Sequence, residues 1–461
     1  MAGAGVPDGR GLAPLECPIA TLDLEGCSAF LRMVFVLINE ARLTGSLNLL
    51  ETAEGMIKAA LEKPARSGDQ ESIPSDLALK AALGECYSVR GRWLGDRDPD
   101  KGRRPTGREA LEEGVQLIRI FVDWIDENVG NLNDGPATQI RAHAFLGNAM
   151  TRLAYFTREH QDLARAFDQL ESQGERFDSL GSYKAVAGPF FAAWERDTGD
   201  IHVGILHWSA STDEICIDNK MMPVNIDGVG IQHLKRSSKE FARLYRSSTD
   251  ATTLAEWAAS ESSLVVARAQ TAKLLVGGEL NNPNALTPTD EFLGLGGGQL
   301  KGLSESGRAK ARAQAAASKV EELVRDARDG AFRVWRVYLG LLHQPVTPSF
   351  RWARSISNIA FGLMYLVEIM DARKSVAEAA LAEVAFRSVL DINDSPAEPR
   401  AIKTDFDYMW YGRLLAGGRS LRSVHYGDDH EERCAVNEAG LATLMHLLSR
   451  NGVEYAKSKG E

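Results

Sequence analysis

Residues 293–314 read LGLGGGQLKGLSESGRAKARAQ, a glycine run with a lysine and serines that leads into a basic, alanine-rich stretch. As a phosphate cradle, this segment would need a strand before it and an α/β nucleotide fold around it. As a plain connection, it would only feed a helix. A triphosphate-binding loop requires G-x-x-x-x-G-K-[ST], but Gln299 stands five positions after Gly294, and Lys301 is followed by Gly302. A dinucleotide fingerprint beginning at Gly294 fails on the same glutamine, where its third glycine belongs. The segment is therefore a connection, and its surroundings decide the fold class.

Those surroundings are helical. Ser304 is suited to cap a helix that Glu305 favours in its first turn. Beyond it Ala309, Ala313, Val320, Val324, Ala327, Trp335, Tyr338 and Leu342 share one face at about 100° per residue. This helix should end before Pro345, with a bend at Gly330. The same period holds upstream, in Phe30, Val34, Leu37 and Ile38, in Leu49, Leu50, Ala53, Ile57 and Leu61, and over 77–93, 108–128, 138–156, 162–173, 234–246 and 252–275. Downstream it recurs over 350–370, 376–390, 404–416 and 433–450. One stretch breaks it: within 200–229, Ile201, Val203 and Ile205 alternate ahead of the turn-forming SASTDE, so a small β-hairpin is expected.

The expected fold is mostly α, a two-lobe array of antiparallel helical hairpins with a small inserted β-hairpin. Its parts are a flexible tail over 1–24, an N-terminal helical lobe over 25–199, the β-hairpin over 200–229 and connecting helices over 230–276. A Gly/Asn/Pro-rich connection over 277–303 and a C-terminal helical lobe over 304–461 complete it.

Four places share a smaller pattern: LGECYSVRGRW from Leu83, LGNAMTRLAYF from Leu146, FGLMYLVEIMD from Phe361 and YGRLLAGGRSL from Tyr411. In each, a large apolar residue precedes a glycine and another follows three positions on, which lets a second helix approach closely at the glycine. The pattern resembles the first helix of a tetratricopeptide repeat. REALEEGVQLI from Arg108 is similar to the second helix, and AEVAFRSVLDINDSP up to Pro396 to the end of a repeat. The turns GDRDPDKGRRPTG after Leu94 and VHYGDDHEER after Ser423 are longer than that family uses. The resemblance implies a curved helical surface that binds a partner.

With 461 residues, the chain can hold two to three compact units at roughly 150 residues each. Its 44% hydrophobic and 25% charged residues are those of an ordinary folded protein, and a net charge of -10 excludes a surface that is basic throughout. Cys17, Cys27, Cys86, Cys216 and Cys434 are odd in number and widely spaced, which fits reduced thiols and a cytoplasmic location. The longest uncharged run, 355–367, is shorter than the roughly 20 residues a membrane helix needs, so no membrane association is expected.

Candidate chemistry is sparse. DRDPDKG from Asp96 carries Lys101 where a calcium loop needs glycine, and reads as a solvated turn. HYGDDHEERC gathers His425, His430 and Cys434 as candidate metal ligands, the last two at i, i+4, although acids before a helix also simply complement its dipole. His202 and His207 would lie on opposite faces of a strand. No G-x-S-x-G or other nucleophile context occurs, and no cofactor is expected.

The strongest signal is basic. Residues 301–354 hold eleven basic side chains against five acids. Arg308, Arg312 and Lys319 share a helix stripe, and Arg333, Arg336, Arg351 and Arg354 follow among Phe332, Trp335, Tyr338, Phe350 and Trp352. A further set, Lys235, Arg236, Lys239, Arg243 and Arg246, lies earlier. Arginine among aromatics suits phosphate contact and base stacking, whereas Glu322 and Asp326 on the same stripe suit a salt-bridged solvent face.

Three functions follow as expectations. The first is a non-enzymatic helical scaffold that binds a protein partner or a copy of itself. The second is a nucleic-acid-packaging protein of nucleocapsid or coat type with a basic inter-lobe groove. The third is a helical metal-dependent enzyme using His425 and His430.

Overall fold

The structure, a computed structural model, describes residues 28–44, 46–62, 74–94, 107–132, 135–157, 159–179, 188–209, 215–217, 220–222, 226–248, 251–277, 287–296, 298–342, 350–370 and 375–393. Twelve α-helices account for most of these: α1 (Ser28–Thr44), α2 (Leu47–Leu61), α3 (Ser75–Leu94), α4 (Gly107–Asn128), α5 (Gly135–Thr157) and α6 (His160–Ser179), then α7 (Gly188–Ser209), α8 (Val229–Ser248), α9 (Ala251–Gly277), α10 (Glu305–Leu342), α11 (Phe350–Ile369) and α12 (Val376–Asn393). The expected helices over 404–416 and 433–450 lie outside the described residues.

Local chemistry sets the ends. Ser46 Oγ accepts from the Leu49 N–H at 3.4 Å to open α2, and Ser304 Oγ accepts from the Gly307 N–H at 3.2 Å to open α10, as its place in the sequence led one to expect. The glycine-rich segment before α10 is a pair of turns, in which Gly294 and Gly302 have φ of 74° and 82°, backbone that favours glycine. One expectation needs correction: residues 200–209 are helical and complete α7. Ile201 and Val203 are both buried because α7 is covered by α5 and α6 on one side and α8 on another, so apolar alternation here reflects enclosure. Beyond it, the three-residue strands β1 (Ile215–Ile217) and β2 (Lys220–Met222) pair antiparallel.

Every helix packs on the next in sequence. In addition α1, α3, α5, α7, α9 and α11 each touch the next odd-numbered helix, and α11 touches α1. The odd-numbered helices thus close into an inner ring, and the even-numbered ones lie outside it. Burial agrees: residues 81–91 of α3, 258–272 of α9 and 355–367 of α11 are buried without interruption, while outer helices such as α4, α8 and α10 keep a polar face in water. One cluster of buried side chains runs from α1 to α12, with no interruption at the expected lobe boundary.

Glycines allow the closest crossings. A Cβ at Gly84 would sit 2.7 Å from the Gly114 carbonyl oxygen, and one at Gly114 would sit 2.6 Å from that of Gly84. Seven residues on, Gly91 meets the Gly107 carbonyl in the same way, so α3 and α4 run antiparallel in almost backbone contact. Gly147 and Gly362, from the shared sequence pattern, likewise abut Gln173 and Val265. Gly330 gives no break in α10; it admits Val265 of α9. Gly114→Ala is expected to lose about 1–2 kcal/mol, since the clash outweighs a helix-propensity gain of about 1 kcal/mol. Gly55→Ala, with nothing within 4 Å of the new Cβ, should raise the melting temperature. A Gly114→Ala protein that melts no lower than wild type would contradict this crossing.

Candidate functional site

Apart from Arg351 and Arg354 on α11, the basic candidates divide between two outer helices. On α10 most are neutralised. Asp290 receives Arg312 through two hydrogen bonds of 2.7 and 2.9 Å, which hold the carboxyl below and the guanidinium above their usual values. Lys319 lies 3.1 Å from Glu322 and over the Phe292 ring. Arg333 reaches Glu261 of α9 at 2.5 Å. Arg308 and Arg336 are exposed, without an ion pair among the described residues. Arg351 and Arg354 fall in the first two turns of α11, and their side chains lie outside the described residues, as do His425, His430 and Cys434. Tyr338 and Trp352, proposed from sequence as stacking groups, are buried and pack 6.1 Å apart.

On α8 the basic residues form a solvent stripe: Lys235, Lys239, Arg243 and Arg246 follow one another at helical spacing and all are exposed. Arg236 beside them bonds Glu195 at 2.6 Å, and Arg243 bonds Glu240. Glu261 ties the two basic helices together, since it also accepts from Ser238 Oγ of α8. Lys235, one turn before Ser238, and Arg336, one turn after Arg333, therefore belong to neighbouring helices on either side of α9. Because α8 and α10 both run antiparallel to α9, these two cations lie one turn to opposite sides of Glu261, and Arg336 is level with about residue 241 of α8.

The ring interior is polar, and several of its charged and amide groups pair with each other across helices. Arg42, Glu85 and Arg152 join α1, α3 and α5; Asn148 bonds Asp197 between α5 and α7; Arg196 bonds Glu256 between α7 and α9; and Asn358 bonds Ser262 between α11 and α9. A pocket beside α7 is walled by Phe145, Phe190, Trp194 and Phe241 and floored by the Arg196–Glu256 and Asn148–Asp197 pairs, which leaves its lining mainly apolar.

Two histidines have acid partners. His143 Nε2 lies 2.9 Å from Asp126, while its Nδ1 faces Gln169 at 3.0 Å, so both ring nitrogens are engaged. Burial opposes the Asp126 charge, but hydrogen bonds from Gln139 and His143 outweigh it and hold the carboxyl below its usual value. His233 Nδ1 lies 2.6 Å from Glu195, and its ring stacks on His202. Burial pushes the Cys86 thiol well above its ordinary pKa, which keeps it an unreactive thiol. Among the described residues no three His, Cys, Asp or Glu side chains converge as metal ligands, and no helix is long and apolar enough to cross a membrane.

The chain matches no protein-family model, no curated protein and no solved structure.

Proposed function

We propose that the chain is a non-enzymatic helical binding protein, and that the leading end of α10 docks a helix of a protein partner. The observation that supports this is a mismatch in length between α9 and α10. The two run antiparallel in a register set by Arg268 with Asp326, Val265 with Gly330, and Glu261 with Arg333. Gly277 ends α9 nine residues past Arg268, level with about residue 317 of α10. Residues 305–315 consequently extend past the end of α9 by about 16 Å, held on one side by Asp290 at Arg312. The α10 seam that α9 and α11 cover at Leu323, Ala327 and Val334 continues onto this overhang, where Ala309 and Ala313 are exposed, with Leu303 and Val276 exposed nearby.

A helix laid along the line of α9 would cover that seam, and small residues would let it approach closely. Arg308 and Lys310 flank the seam, so a second copy of the same basic overhang is repelled and an acidic helix is attracted. In this reading the helices before and after 277–303 form one array around the shared core, and the strand pair at 215–222 is an inserted hairpin. A photo-crosslinking residue at Ala313 tests the proposal in cells that make the protein. A discrete adduct with another polypeptide, lost in an Ala309→Glu variant, is expected. No adduct, or one that nuclease removes, would overturn it.

A further inference from the structure

We infer that the exposed stripe of α8 is a second binding surface, distinct from the α10 overhang, and that it takes the phosphate backbone of nucleic acid without regard to sequence. Lys235, Lys239, Arg243 and Arg246 lie within twelve residues, about 16 Å of helix, and all face water. With Arg236 they make five cations on one helix. Among the described residues the acids that pair with them are Glu195 and Glu240, which leaves a surplus of three positive charges there. On α10, by contrast, Asp290, Glu322 and Glu261 already meet Arg312, Lys319 and Arg333, and the exposed cations left form no continuous stripe, since Arg308 and Lys310 lie 26 or more residues before Arg336.

The kind of partner follows from what the stripe lacks. A protein partner needs a buried aromatic or aliphatic anchor, but the apolar side of α8, with Ile231, Leu234 and Phe241, is spent on the core. A membrane surface would need that apolar side exposed. A phosphate backbone needs only regularly spaced cations, which gain their binding energy by releasing counterions. No exposed aromatic side chain occurs on the stripe, Tyr245 being half-buried, so base stacking contributes little and sequence preference should be weak.

The test is fluorescence anisotropy of a short mixed-sequence DNA duplex titrated with the full chain at several salt concentrations. Binding should weaken with salt, with a log–log slope between about −3 and −5 if three to five phosphates are contacted. Lys235→Glu, Lys239→Glu and Arg246→Glu together should weaken binding by more than about 30-fold at low salt. Arg308→Glu, Lys310→Glu and Arg325→Glu together change the net charge equally, and should leave affinity within about threefold. Circular dichroism and the melting temperature establish that both variants are folded. The inference falls if the duplex does not bind at low salt or if the two triple variants lose affinity equally. It also falls if polyglutamate or anionic vesicles compete as well as DNA, because the stripe would then be a general anion surface.

Discussion

Glu85→Leu is expected to destabilise the chain by about 3–5 kcal/mol, measured by chemical denaturation at neutral pH. Glu85 is 1% exposed and receives Arg42 of α1 at 2.7 Å and Arg152 of α5 through two contacts of 2.9 Å. Leucine would fill the volume but leave two guanidinium groups buried around a missing charge. Arg152 would keep only a 3.3 Å bond to Ser88 from this group, too little to offset burial of a cation. The diagnostic result comes from the companion variant, Arg42→Met, Glu85→Leu, Arg152→Met, which should recover most of the loss. Much of the cost of breaking a buried ion pair is the uncompensated partner, and an apolar triad of similar volume has none. If Glu85→Leu costs less than about 0.5 kcal/mol, as a surface change would, the three inner helices do not enclose this group.

That triad also shows why part of the fold could be read from sequence and part could not. Helices announced themselves through period and caps: Ser304 opens α10 where its spacing from the apolar face required it. Gly84, Gly147 and Gly362 marked close crossings because each sits between large apolar residues. The β expectation at 200–209 failed because α7 is covered on more than one side, which buries Ile201 and Val203 alike and erases the helical period. Closure of the odd-numbered helices depends on contacts such as α1 with α11, more than 300 residues apart, which no local pattern encodes.

The candidate sites divide in the same way. Local pairs such as Lys319–Glu322 were legible at i, i+3. The pairs that neutralise Arg312 and Arg333 on α10, with Asp290 and Glu261, are separated by 22 and 72 residues and appear only in three dimensions. The α8 stripe was visible as a basic cluster, but not that it would face water while the rest of the helix went into the core.

Acid should unfold the chain partly through His202, and the effect has a defined window. The His202 ring packs edge-on against Phe167 at 5.2 Å and stacks on His233 at 5.6 Å. Burial, and secondarily the nearby His233, push its pKa down to about 4, with Asp227 opposing. Glu195 and Arg236 engage the far side of His233, so little else in the cluster stabilises a proton on His202. In the unfolded chain this imidazole takes up a proton near pH 6.5, while the folded chain resists until about pH 4. The unfolded state therefore binds more protons between these values. Stability is complete above about pH 6.5 and falls by about 3 kcal/mol as pH drops to about 4. His143, also lowered by burial, contributes in the same direction. His202→Phe keeps a ring against Phe167 and His233 but cannot titrate, so its denaturation midpoint should match wild type near neutrality and exceed it increasingly toward pH 4.5. Equal losses in both proteins over that range would mean that His202 is solvated enough to charge in the folded state, and that the α6–α7–α8 junction is looser than its ring contacts indicate.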